Sequence, residues 1–154
     1  MFTRMSEGRD KGPIRILLVE DFPAVRESVR DLLSRRADME VVGEAGDGLE
    51  AVELARSLHP DIVVMDITLP RLHGIMATER ICAESPKVRV IAYSIHDEWL
   101  YAQNMMDVGA RGYVTKSDVY EDLVNAIHAV MSGQRFLSSG IQKPEGAHPV
   151  DKFS

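Results

Sequence analysis

Glu20, Asp21, Asp66, Ser94 and Lys116 each stand at the end of a short run of aliphatic, β-branched or aromatic residues, and as a set their types can do chemistry. If those runs are neighbouring strands, three carboxylates converge on one edge. There they would repel one another and raise their own pKa values unless a cation shared them. Oxygen donors from Asp and Glu select a hard ion, and a site of few protein ligands that keeps part of its water suits Mg²⁺ better than Ca²⁺. Lys116 supplies fixed positive charge on the opposite flank. A carboxylate held between Mg²⁺ and an ammonium stays ionised and nucleophilic, and the same cations would neutralise a phosphoryl group arriving on it. Phosphoryl transfer onto Asp66 is therefore the chemistry this set suits. Each residue alone has a plainer reading: Glu20 and Asp21 as caps of a following helix, Asp66 as a loop residue, Lys116 as a solvated one. The coincidence of acid, acid, hydroxyl and lysine at four strand ends favours the phosphoacceptor.

The elements that must position these residues alternate regularly along the chain. Ile14-Arg15-Ile16-Leu17-Leu18-Val19 is short, apolar and β-branched and stops at acids and a proline, as a strand buried on both faces does. Pro23 opens a helix in which Val25, Val29, Leu32 and Leu33 fall on one stripe. Further strands are expected over residues 40–45, 61–65, 88–93 and 112–115, with helices over 47–58, 74–84, 97–108 and 118–132. Five βα units without a hairpin signal predict an α/β fold, a doubly wound five-stranded parallel sheet with helices on both faces. In such sheets ligands bind beyond the carboxyl ends of the strands, which is where Glu20, Asp21, Asp66, Ser94 and Lys116 lie.

Composition narrows the class. At 154 residues the chain fits one ordinary domain, and 45% hydrophobic with 27% charged residues is what a soluble folded domain carries. Residues 1–12 read as a flexible leader, 13–132 as the domain and 133–154 as a tail or linker remnant. No apolar run approaches a membrane span, and no signal peptide follows Met1, so a cytoplasmic location without membrane contact is expected. A net charge of −6 speaks against direct nucleic-acid binding. The lone Cys82 reads as helix packing, His59 and His128 as surface or boundary residues, and Met105-Met106 near Trp99 as an apolar patch on the fourth helix.

Four segments in this order resemble the receiver domain of two-component response regulators, over about residues 13–132. They are Val19-Glu20-Asp21, Met65-Asp66-Ile67-Thr68-Leu69-Pro70 with Gly74, Ala92-Tyr93-Ser94, and Gly109-Ala110-Arg111-Gly112-Tyr113-Val114-Thr115-Lys116. Residues 93–98 and 132–138 further resemble the NarL/FixJ-type transcription regulators. The resemblance implies the (βα)5 flavodoxin-like receiver fold with strand order 2-1-3-4-5, and Asp66 as phosphoacceptor. It implies Asp21, Asp66 and the Thr68 carbonyl as Mg²⁺ ligands with Glu20 reaching the ion through water. Ser94 and Lys116 would hold the phosphoryl oxygens, and Ser94 and Tyr113 would form the switch. It also implies a sensor histidine kinase as donor, slow autodephosphorylation rather than enzymatic turnover, and a phosphorylation-dependent homodimer whose changing surface carries Trp99, Met105, Met106, Tyr113 and Tyr120. DNA would be reached only through a domain absent from this chain. The chain departs from the common pattern at Glu20, Leu69, His73 and Ser117.

Other readings stay open at the level of sequence. Residues 133–154 are too few for a helix-turn-helix domain, so the chain is either an excised receiver or a stand-alone regulator working through protein contacts. A Mg²⁺-dependent aspartyl-phosphate phosphatase also uses a strand-end Asp, but needs a second acid where this chain has Thr68. A flavodoxin-like cofactor carrier would need small hydroxylic residues where Glu20 and Asp21 stand.

Overall fold

In the computed structural model, which describes residues 12–141, the apolar runs become six parallel strands and the amphipathic stretches five α-helices. The strands are β1 (Ile14–Val19), β2 (Met39–Ala45), β3 (Ile62–Asp66), β4 (Arg89–Ser94), β5 (Gly112–Thr115) and β6 (Phe136–Leu137). The helices are α1 (Pro23–Ser34), α2 (Gly48–Leu58), α3 (Gly74–Glu84), α4 (Trp99–Asp107) and α5 (Val119–Met131), with a 3₁₀ turn over Lys116–Asp118. The sheet order is β2-β1-β3-β4-β5-β6, so the expected 2-1-3-4-5 arrangement is present and is lengthened by one strand.

The period-2 geometry of the strands sorts their side chains into two cores. Leu17, Val19, Val63, Met65, Val90, Ala92 and Tyr113 face α2, α3 and α4. Ile16, Leu18, Ile62, Val64, Ile91, Tyr93 and Val114 face α1 and α5. Every residue of β3, the central strand, is buried. Burying both faces removes solvent from the strand that carries Asp66.

Helix starts are set locally. Pro23 sits in the first turn of α1, where its missing N–H costs nothing. Asp47 caps α2 by accepting from the Glu50 backbone N–H at 2.8 Å, and Glu50 returns the contact by accepting from Gly46 N–H. His73 caps α3 through Nδ1, which accepts from Ile75 N–H at 3.2 Å.

Several expectations shift by a residue. Asp66 and Ser94 are the last residues of β3 and β4 rather than the residues after them, paired with Tyr93 and Thr115 respectively. Asp97 and Glu98 precede α4 instead of opening it, and α2 and α5 start one residue later than expected. β6 was not expected. Its backbone runs along β5, Ser138 N–H donates to the Tyr113 carbonyl, and the Ser138 hydroxyl donates to Asp122 while accepting from Thr115 N–H. Ile141 closes the segment against the α4 side of the core. Residues 1–11 and 142–154, within the expected leader and tail, lie outside the described residues.

The reading of Met105 and Met106 as packing holds, and the surface expected to change is corrected. Met105 and Tyr113 are fully buried and Met106 nearly so, because they face the sheet; the exposed apolar residues there are Ile95, Leu100 and Tyr120, with Trp99 partly buried. His128 pairs with Asp38 at 2.7 Å, and His59 ends α2 in a left-handed conformation. Cys82 is packed near Gly109, and burial pushes its thiol above the usual range. Among the described residues no helix is long and apolar enough to cross a membrane.

Candidate functional site

The carboxyl ends of β1, β3, β4 and β5 open into one cleft lined by Glu20, Asp21, Asp66, Thr68, Ser94, His96 and Lys116. Its floor is fixed by backbone contacts. Glu20 N–H donates to the Ala45 carbonyl, and the Arg26 guanidinium donates to the Glu20 carbonyl at 2.6 Å. After β3 the chain turns sharply: Thr68 N–H donates to Asp66 Oδ1 and Gly74 N–H to the Ile67 carbonyl. A Cβ at Gly74 would lie 2.2 Å from the Asp66 carbonyl oxygen, so only glycine lets α3 start this close to the end of β3.

One carboxylate oxygen from each of Glu20, Asp21 and Asp66 can be chosen so that all three lie within 4.8 Å of one another. Asp21 is exposed, whereas Glu20 and Asp66 are buried. Lys116 Nζ bridges the two buried acids, at 2.8 Å from Glu20 Oε1 and 3.1 Å from Asp66 Oδ2. Glu20 is held by two further donors, Tyr93 OH on Oε1 at 2.6 Å and Phe22 N–H on Oε2 at 3.1 Å.

These contacts set the charges. Burial pushes the Asp66 carboxyl up, the neighbouring Glu20 charge adds to it, and Lys116 only partly compensates, leaving it at about 6. Burial also opposes ionisation of Glu20, but the hydrogen bonds from Lys116, Tyr93 and Phe22 together outweigh it and hold Glu20 below the ordinary carboxylate value. Burial would lower Lys116, and its bonds to Glu20 and Asp66 reverse that and raise it. The result is a fully ionised Glu20–Lys116 pair beside an Asp66 that lacks enough positive charge. A crowded, oxygen-only donor set with such a deficit fits a hard divalent cation. Asp21, Asp66 and the Thr68 main chain would hold it, with Glu20 behind.

Each residue expected to form the site is in it or beside it. Ser94 Oγ accepts from His96 N–H at 3.1 Å, and Tyr113, already turned inward, donates from its hydroxyl to the His96 carbonyl at 2.8 Å. Burial pushes the Tyr113 phenol up to about 12. Sequence reasoning missed Tyr93, Arg26 and His96. For Tyr93 a signal existed: a tyrosine in a strand of small and aliphatic residues needs a partner for its hydroxyl once buried. The His96 ring stacks on Tyr101 of α4 with centroids 4.0 Å apart, a contact with no sequence signal beyond helix spacing.

The response regulator receiver domain model matches residues 16–128. Response regulator GacA of Pseudomonas aeruginosa is 35% identical over 128 residues, covering 83% of this chain and 60% of that protein. Response regulator UvrY of Escherichia coli is 37% identical over 128 residues, covering 83% and 59%. Among solved structures, a two-component response regulator of the LuxR family from Aurantimonas sp. SI85-9A1 superposes with a TM-score of 0.81 at 44% identity, covering 84% of this chain and 93% of that one. The signal receiver domain of the putative response regulator NarL from Mycobacterium tuberculosis gives 0.76 at 29%, covering 80% and 99%. The chain belongs to the response-regulator receiver domain family. Within it, the similarities are to regulators of the NarL/LuxR kind. The chain spans about three fifths of the length of the curated relatives it matches.

Proposed function

We propose that this chain is the phosphoacceptor part of a two-component response regulator, and that Asp66 takes a phosphoryl group from a phosphohistidine of a sensor kinase. The observation that carries this is the bridging of Glu20 and Asp66 by Lys116, which leaves a buried carboxylate short of positive charge at the mouth of a cleft. An Asp66 carboxylate oxygen bonds to phosphorus as the phosphorus–nitrogen bond to the donor imidazole breaks, and the imidazole takes up a proton. Mg²⁺ would supply charge neutralisation of the transferring oxygens. Asp21, Asp66 and the Thr68 carbonyl would hold it, with Glu20 acting through water.

Lys116 and Ser94 then take the phosphoryl oxygens. For Ser94 this means exchanging the His96 N–H contact for donation to an anion, a stronger, charge-assisted bond. Tyr113 lies beside it with its hydroxyl on the His96 carbonyl, so a shift of the Ser94–His96 segment is felt by Tyr113. The phosphoryl group stays on the protein, so the chain is a switch and not an enzyme of outside substrates. Its output is self-association and, through a DNA-binding domain outside this chain, control of transcription in the cytoplasm.

Incubation with acetyl phosphate and Mg²⁺ adds one phosphoryl mass to the wild type and none to Asp66→Asn. Undiminished labelling of Asp66→Asn overturns the assignment.

A further inference from the structure

Tyr93 occupies an unusual place for a phenol. It is fully buried on the α1/α5 side of β4, yet its hydroxyl reaches the site and donates to Glu20 Oε1 at 2.6 Å. That same oxygen accepts from Lys116 Nζ at 2.8 Å. The Tyr93 ring also lies under the ammonium, with Nζ 4.9 Å from its centroid. Glu20 is only 1% exposed, so, apart from the water through which it would reach the metal, solvent does not replace a donor that leaves.

Lys116 therefore has a conflict. In the resting protein it serves Glu20 and Asp66, and a phosphoryl group on Asp66 adds oxygens that compete for it. Turning Nζ toward them strips a donor from a buried carboxylate oxygen, and an unpaired buried acceptor carries the full desolvation cost. We propose that Tyr93 is a positioning residue that lets Lys116 leave Glu20: its hydroxyl keeps Oε1 hydrogen-bonded while the ammonium turns to the phosphoryl group. This rests on the reading of Asp66 as phosphoacceptor. A phenol of ordinary pKa near 10 is protonated at neutral pH, so the Tyr93 hydroxyl has a proton to donate.

The two states of Lys116 respond differently to loss of the hydroxyl. In the resting state Lys116 still fills Oε1, so little is lost. In the phosphorylated state, and on the way to it, Oε1 loses both donors.

Tyr93→Phe separates them because it keeps the ring and its contact with the ammonium. Three quantities are compared with wild type: the urea midpoint of the unphosphorylated protein, the rate of phosphorylation by acetyl phosphate across a Mg²⁺ series, and the affinity for beryllium fluoride. The midpoint and the half-saturating Mg²⁺ concentration should stay close to wild type. The maximal rate and the beryllium fluoride affinity should fall by roughly tenfold, the size of one hydrogen bond to a charged group. In a Glu20→Gln background, with the carboxylate charge gone, adding Tyr93→Phe should change the rate far less. A role confined to packing predicts the reverse, a lowered midpoint with rate and affinity intact. Wild-type rate and affinity in Tyr93→Phe, or the same loss with Gln at position 20, overturn the proposal while leaving Asp66 as phosphoacceptor untouched. A wild type that takes up no label, or a label surviving in Asp66→Asn, overturns the phosphoacceptor reading itself.

Discussion

Asp66→Asn should make the metal-free protein more stable at neutral pH, although it removes the residue the site is built around. Burial and Glu20 raise the Asp66 carboxyl from 3.8 to about 6. A carboxyl whose folded pKa exceeds its unfolded one opposes folding when ionised, and the penalty is full above the folded value. Two units correspond to about 3 kcal/mol as an upper bound. Asparagine removes the charge but keeps an oxygen for Lys116, whose ion pair with Glu20 persists; a net gain of about 1–2 kcal/mol is expected once the weakened Lys116 contact is deducted. The assay is urea unfolding of both proteins in chelator between pH 4 and 8. The advantage of the asparagine variant should be largest above pH 6 and shrink steadily as pH falls through that value toward 4, since wild-type Asp66 becomes neutral in both states only well below 3.8. Mg²⁺ should stabilise wild type and leave the variant nearly unchanged, closing the gap from the other side. An asparagine variant less stable than wild type at pH 7.5, or a gap that does not narrow on acidification, refutes the charge deficit.

Asp21→Asn should lower Mg²⁺ affinity at least about tenfold, measured by titration calorimetry, and slow phosphorylation in parallel, since the exposed Asp21 supplies one of few ligands. Ser94→Ala should still accept phosphate but lose the link to self-association, so sedimentation should find it monomeric with or without phosphate; full dimerisation of the phosphorylated variant contradicts the switch. Gly74→Ala should destabilise by about 3 kcal/mol in urea unfolding, because its Cβ meets the Asp66 and Ile67 backbone, which cannot yield; a loss under about 1 kcal/mol would show that the loop gives way.

The central strands were legible because full burial writes itself as unbroken apolar runs, and the residues ending those runs were readable as a site because the fold brings strand ends to one edge. The strand limits slipped by one residue where pairing decides them: Asp66 looks like the first loop residue but pairs with Tyr93. The Tyr93–Glu20 bond joins residues 73 positions apart, and only the packing of β4 against β1's far end through β3 brings them together. β6 escaped because two residues cannot show a periodicity; Phe136 and Leu137 are a strand only because β5 offers an edge. Met105 and Met106 pack inward, as their reading as packing expects, but they were also counted with the surface expected to change, because α4 is short and apolar on more than one side and spacing alone does not choose its buried face.

β6 also decides how copies of this domain can meet. An open sheet ends in two rows of unpaired backbone groups, which invite another chain to continue the sheet. On one side the last strand is two residues long and follows the exposed Gln134 and Arg135, offering too short a ladder for a newcomer. On the other, β2 carries the charged Glu40 and Glu44, and its pairing with β1 shifts between Ile16 and Leu17, breaking the regular spacing a partner strand would need. Among the described residues both borders resist edge-to-edge growth, which would direct the proposed self-association to the helical faces.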